Sequence, residues 1–111
     1  MINLYKEARL LAQEAFDESR EYGCDAGDML HQSCDGHEIA IYYHKAIQFC
    51  ADQDTSAGEE WLEDCGGIAQ PGDSFGQIAC RIAFATLYCA AQEALQDLEQ
   101  EAEEAEEAEE V

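Results

Sequence analysis

The chain has 111 residues, of which 47% are hydrophobic, and its 26 Asp and Glu against 5 Lys and Arg give a formal net charge of −21. This length allows one small domain with a hydrophobic core, and the apolar content excludes disorder along the whole chain. The charge argues against direct binding to nucleic acid or to anionic membranes and favours a basic partner surface. Nine of the acids lie beyond Gln96, so residues 1–96 still carry a net charge of −12.

The amino terminus carries charged residues within its first turns and lacks the apolar segment and cleavage site of a signal peptide. We therefore expect a cytoplasmic protein. In a reducing compartment its six cysteines are expected to act as small apolar residues rather than as a disulfide framework. They are Cys24, Cys34, Cys50, Cys65, Cys80 and Cys89.

The first predicted helix begins after Asn3, a favourable N-cap residue, and runs to Tyr22, where Gly23 ends it. Its apolar stripe consists of Leu4, Ala8, Leu11, Ala15 and Tyr22. Four acids on its exposed side are candidate partner-binding residues: Glu14, Asp17, Glu18 and Glu21.

The next stretch is rich in Gly and Asp and predicts a short helix around Met29 to Cys34, ended by Gly36. His31, Cys34 and His37 follow one another at spacings of three. Zinc sites use these residue types but usually show tighter paired spacing, so we predict no metal site and no cofactor and keep these three as weak candidates. No catalytic constellation is evident, and we expect a protein that is not an enzyme.

Residues 37–51 predict a second long helix. One broad arc is apolar, and we expect Tyr42 and Tyr43 to pack within it. The other side holds a stripe of His37, Ile41, His44 and Gln48. Ile41 is apolar on a face that is otherwise polar, so either a second layer of the fold or a partner helix is expected to cover this candidate interface stripe.

Ser56 and Glu59 have the spacing of a capping box and predict a short helix that ends at Gly66 and Gly67, anchored by Trp61 and Leu62. Its acids are the second set of candidate partner-binding residues: Glu59, Glu60, Glu63 and Asp64. Ser74 and Gln77 repeat the capping-box spacing at the start of the last helix.

The segment Ile78–Ala91 is interrupted only by Arg81 and Thr86 in an apolar run, so it predicts a core helix that other helices wrap. The run is shorter than the ~20 apolar residues of a membrane span. A buried arginine needs a carboxylate partner. The candidate partners of Arg81 are Glu14, Glu38, Glu60 and Asp64.

Residues 99–111 are an acidic Glu/Ala tail that follows a helical domain of residues 1–98. Alanine and glutamate favour helix, but repulsion between glutamates four apart and negative charge at a helix C-terminus predict fraying beyond about Glu101. The predicted fold is therefore a single all-α bundle of four or five helices, with a long central C-terminal helix and an acidic tail.

The size, the helical pattern and the run EAEEAEEAEE resemble the acidic anti-restriction proteins of phages, the Ocr class, which mimic DNA and block restriction enzymes. Several anti-CRISPR proteins are similarly small and acidic. The segment Asp35–Ala46, DGHEIAIYYHKA, resembles a segment of uncharacterised small phage and prophage proteins. The resemblance implies a phage or mobile-element origin and carries over no functional residue.

Two hypotheses for function follow. In the first, the protein inhibits a basic nucleic-acid-binding host defence protein in the host cytoplasm, with surface carboxylates standing in for the phosphates of DNA. In the second, it is a small acidic helical homo-oligomer, such as a homodimer, or an adaptor, and its charge serves solubility alone. The dependence of partner affinity on salt distinguishes them, because only the first relies on interactions between exposed charges.

Overall fold

The computed structural model describes the backbone of residues 3–109 and the side chains of residues 3–106. The described chain is all-helical, with no strand. Its six helices are α1 Leu4–Tyr22, α2 Ala26–Asp35, α3 Glu38–Ile41, α4 Tyr43–Asp52, α5 Ser56–Asp64 and α6 Phe75–Glu109. This confirms the predicted all-α bundle with a long C-terminal helix.

Helix α6 is the centre of the bundle, because each of the other five helices packs against it. Its buried residues are mostly small: Ala79, Cys80, Ala83, Ala85, Thr86, Leu87 and Ala91. Small side chains allow helix axes to approach closely while the bulkier partners Leu30, Ile39, Phe49 and Leu62 fill the remaining space. The core helix predicted from the apolar run is therefore wrapped as expected.

The ends of the two longest helices follow local sequence. Asn3 Oδ1 accepts a hydrogen bond from the Lys6 backbone N–H at the start of α1, and Gly23 ends that helix with a left-handed φ of 72°. At the start of α6 the Ser74 N–H donates to Gln77 Oε1 (2.7 Å), and the Gln77 N–H donates to Ser74 Oγ (3.2 Å). The second predicted capping box is thus formed.

The first predicted capping box is wrong. Ser56 is the first residue of α5, and both its backbone N–H and its hydroxyl donate to Asp54 Oδ1 (3.0 and 2.6 Å). Glu59 instead accepts a hydrogen bond from the Thr55 hydroxyl (3.2 Å). The physical reason is that Asp54, two residues upstream, forms a local turn with Ser56 and accepts the hydrogen bonds of both its N–H and its hydroxyl, so neither group is left for a capping box.

The single helix predicted for residues 37–51 is also wrong, because the chain breaks at Tyr42, whose φ of −104° and ψ of 118° are extended. The break falls in the run Ile41–Tyr43 of β-branched and aromatic residues, which lose side-chain freedom in a helix. It brings Lys45 Nζ to 2.7 Å from Glu38 Oε2, although residues seven apart in a straight helix are separated by ~10 Å along the axis.

The loop before α6 is fastened to that helix by Arg81. The Arg81 Nη1 donates to Asp73 Oδ2 (2.8 Å) and to the Ile68 backbone carbonyl (2.6 Å). Arg81 therefore pairs with a carboxylate only eight residues away, and none of the four partners considered from sequence is used. The guanidinium in turn lowers the pKa of the Asp73 carboxyl.

The C-terminal half of α6 extends past helices α2 to α5 and packs against α1. Arg20, near the end of α1, contacts Glu106 Oε1 (3.2 Å), so the two helices run in the same direction. Residues 102–109 are helical in this structure, and the fraying expected beyond about Glu101 stays a prediction. Residues 110 and 111 of the predicted tail lie outside the described residues.

A substitution at Gly58 tests the packing of α5 on α6. A Cβ at Gly58 would meet the Thr86 hydroxyl and lie 2.5 Å from the Thr86 backbone N, so the two helices would have to separate. We expect Gly58→Ala to lower the free energy of unfolding by about 2–3 kcal/mol, measured by urea denaturation.

Gly36→Ala is the matched control, because its Cβ would lie 3.6 Å from the Gln32 carbonyl, an ordinary contact, and the backbone φ is −90°. An equal loss of stability in both variants would contradict the close approach of α5 and α6.

Candidate functional site

The acids of this chain lie on its surface. No Asp or Glu within residues 3–106 is buried; Glu7, Glu59 and Asp73 are half-buried, and the others are exposed. This distribution follows from the core, which holds small and apolar side chains and Thr86 as its one buried polar residue within the described part of the chain. The surface carboxylates are thus available to a partner.

The eight acids chosen from sequence form two separate sets. Glu14, Asp17, Glu18 and Glu21 are exposed on α1, and Glu60, Glu63 and Asp64 are exposed on α5, where Glu59 is half-buried. Helices α1 and α5 both pack on α6 but do not contact each other within the described residues. The structure therefore does not bring the two sets together.

The α1 acids instead have neighbours on α6. We define the acidic arm as α1 together with residues 91–106 of α6. Glu93, Asp97, Glu99, Glu101, Glu103, Glu104 and Glu106 are all exposed on the α6 side of this arm. The sequence predicts that the acids of the tail contribute to long-range attraction more than to docking, and the structure places them on a helix that runs beside the α1 acids.

The spacing of small apolar residues explains why the arm forms. Ala8, Ala12 and Ala15 are buried on α1, and Ala91, Leu95 and Leu98 are buried on α6. These residues are three or four apart, which is the spacing of a two-helix seam. The tail continues it with Ala102, which is half-buried. This signal was present in the sequence but was obscured by the high content of glutamate.

Bases offset little of this charge. Arg20 pairs with Glu106, Lys45 with Glu38, and Arg81 with Asp73. Arg20 also lies over the Phe16 ring, 4.9 Å from its centroid. The described molecule is 57 Å long, so a net charge of −21 amounts to roughly one negative charge per 3 Å, compared with about one per 1.7 Å in duplex DNA.

The candidate metal ligands have different surroundings. The His31 ring packs edge-on against Phe84 and Tyr88, with centroids 5.2 Å apart in each case. His37 accepts a hydrogen bond from the Ile39 N–H and its Nε2 lies 3.0 Å from Glu7 Oε1. The described residues contain no group of three ligand side chains that could hold a metal ion. Each histidine thus has a structural contact.

The helix break at Tyr42 divides the candidate interface stripe. His37 and Ile41 belong to the α3 segment, and His37 turns toward α1, whereas His44 and Gln48 lie on α4. His44 and Gln48 instead line a surface pocket of about 500 Å³ with Phe49 and Asp52. The stripe therefore does not form one continuous surface.

A different exposed surface appears beside it. Tyr42 and Tyr43, expected to pack in the core, are each 51% exposed. We define the apolar patch as the exposed side chains Ile41, Tyr42, Tyr43, Ile47 and Phe75. The patch combines two short segments, residues 41–47 and Phe75. They lie together because Tyr43 packs against Gly76, where an added Cβ would lie 2.5 Å from the tyrosine ring.

The cysteines are free thiols, and their surroundings argue against a nucleophilic role. Burial raises the pKa of Cys34 to about 12, and burial also raises the pKa of Cys50, Cys80 and Cys89. The reactive form of a thiol is the thiolate, which a raised pKa disfavours. Cys24 and Cys65 are exposed.

No protein-family model, curated protein or solved structure matches this chain. Within the described residues one helix, α6, is long and apolar enough by length and composition to cross a membrane, a criterion that the central helix of a bundle also meets. In the present fold each of the other five helices packs against that helix.

Cysteine alkylation at about pH 8 tests these surroundings. We expect iodoacetamide to modify Cys24 and Cys65 in the folded protein and to leave Cys34 unmodified, because a pKa of about 12 leaves about one thiol in ten thousand ionised and burial blocks access. Peptide mass spectrometry identifies the modified sites. All six should react in denaturant, and modification of Cys34 at the rate of Cys24 in the native state would contradict its burial.

Proposed function

We propose that this protein inhibits a basic nucleic-acid-binding protein by occupying its DNA-binding groove with the acidic arm. The carboxylates of the arm take the positions of DNA phosphates. The partner belongs to a host defence complex of the restriction or CRISPR kind, and the protein comes from a phage or mobile element. Its place of action is the host cytoplasm, and the role requires no catalysis and no cofactor.

The observation that supports this proposal most directly is the position of the tail acids beside the α1 acids on two paired helices. A DNA-binding groove presents Lys and Arg at intervals matched to a phosphate backbone. The arm offers carboxylates on both of its helices. It also holds three bases on α1, of which Arg20 is paired with Glu106 while Lys6 and Arg9 are exposed. An elongated and predominantly acidic surface is therefore available to such a groove.

The helical conformation of the arm adds to this argument. A disordered acidic tail would lose conformational entropy on binding, and that loss would weaken its affinity for a groove. The described tail residues instead continue a helix whose first half is fixed in the core. Preorganised charges contribute to affinity as well as to long-range attraction.

Two charge-neutralised variants test which acids bind. One carries Glu14→Gln, Asp17→Asn, Glu18→Gln and Glu21→Gln on α1. The other carries Glu59→Gln, Glu60→Gln, Glu63→Gln and Asp64→Asn on α5. Both remove four negative charges, so they have the same net charge and differ only in position. We expect the α1 variant to weaken partner binding by about 10- to 100-fold and the α5 variant by much less.

The measurement begins with capture of the partner from host lysate on the tagged full-length protein. Affinity is then determined between about 0.05 and 0.3 M salt, together with competition by duplex DNA. We expect affinity to fall steeply with salt, because exposed charges are screened over about 8–10 Å at 0.1–0.15 M. Affinity that is insensitive to salt, or partner and DNA bound at the same time without competition, would refute the mimicry.

A further inference from the structure

The apolar patch lies at the end of the molecule that carries the least charge. Phe75 is the first residue of α6 and is 73% exposed, and the other four members come from the junction of α3 and α4. Residues 39–51 and 74–92, which build this end, contain no Asp or Glu, although the chain has 26. Five of the eight large apolar side chains that are exposed in the described structure therefore lie at an end built from acid-free segments, and the other three, Tyr5, Leu10 and Tyr22, lie on α1.

Four acids flank these segments, namely Glu38, Asp52, Asp73 and Glu93, and two of the four pair with bases. Glu38 pairs with Lys45 at 2.7 Å, and Asp73 pairs with Arg81 at 2.8 Å. Three of the five bases of the chain are paired in the described structure, and two of these pairs lie at this end. Asp52, which accepts a hydrogen bond from Gln48 (3.1 Å), and Glu93 are exposed, so the surface around the patch is less acidic than the arm without being neutral.

The patch and the far end of the arm are well separated. Phe75 lies about 24 Å along α6 from Ala91, where the arm begins on that helix, and about 46 Å from Glu106. The second distance is several Debye lengths at physiological salt. The near end of the arm is closer, because Glu7 of α1 contacts His37 at the start of α3 (3.0 Å).

We infer that the apolar patch is the contact surface of a two-fold symmetric homodimer. A second copy suits it because two chains of charge −21 repel each other least where acids are fewest, and this end provides such a surface. In a two-fold arrangement the patches meet and the acidic arms point away from each other. The dimer does not depend on the proposed function. Within that function, each dimer presents two acidic arms.

The exposed apolar area of the patch is large enough to form the core of an interface with a second copy. The five side chains, each between 37% and 73% exposed, present roughly 500 Å² of apolar surface. A standard interface buries about 800 Å² on each partner, with an apolar core and a polar rim. The patch supplies such a core, with Phe75 as its most exposed aromatic residue, and His44 and Gln48 supply part of a rim.

Sedimentation equilibrium of the full-length protein under reducing conditions tests the dimer. We expect dimers at about 50 μM and an association that strengthens as salt rises, since salt screens the repulsion between copies. Phe75→Glu should raise the dissociation constant by about 100-fold, because each dimer loses two copies of the residue and gains two charges. An acid in the first turn of α6 is favourable for the helix, so the fold should persist.

Tyr5→Glu is the matched control. Tyr5 is 75% exposed, lies in the first turn of α1 and belongs to the acidic arm rather than to the patch. It should leave the dimer unchanged, and circular dichroism should show equal helicity for both variants. Ile47→Gln, a neutral change within the patch, should weaken the dimer by about 10-fold.

A wild-type chain that stays monomeric at about 100 μM overturns the inference. So does a Phe75→Glu variant that dimerises as the wild type does, or a Tyr5→Glu variant that dissociates to the same extent. Open-ended oligomers would exclude the two-fold arrangement. A monomeric protein that still binds its partner in a salt-dependent way would overturn the dimer alone and leave the proposed function standing.

Discussion

The structure depends on one constraint, which is that the apolar part of helix α6 has no polar face to leave in water. The N-terminal and central parts of α6 bury small residues around much of their circumference, so helices are needed on several sides rather than on one. Five short or medium helices meet that need. The acids then have no place except on their outer faces and on the part of α6 that extends beyond the bundle.

This arrangement separates two kinds of surface within one small chain. At the start of α6 the apolar patch has few acids around it, and at the other end the acidic arm is nearly free of exposed apolar side chains, with Leu10 and the terminal tyrosines of α1 as exceptions. Association through one end does not obstruct the other. A protein built in this way can assemble and bind a charged partner at the same time.

Features set by local chemistry could be predicted from the sequence. The Asn3 cap, the stop at Gly23 and the Ser74–Gln77 box depend on residues within a few positions of each other. The break at Tyr42 could not be predicted, because a helical stripe continues through it and tertiary packing decides the matter. Likewise the eight candidate acids were correctly placed outside the core, but only the fold shows that α1 and α5 are apart.

The alanine seam of the acidic arm has a thermodynamic consequence. Ala8, Ala12 and Ala15 bury little area compared with leucines, and the carboxylates on both helices repel each other across that seam. The arm therefore gains little from burial, and its stability depends on how strongly its carboxylates repel each other. Any cation that gathers along it, from dissolved salt to a lysine-rich groove, relieves the repulsion and by linkage stabilises the folded chain.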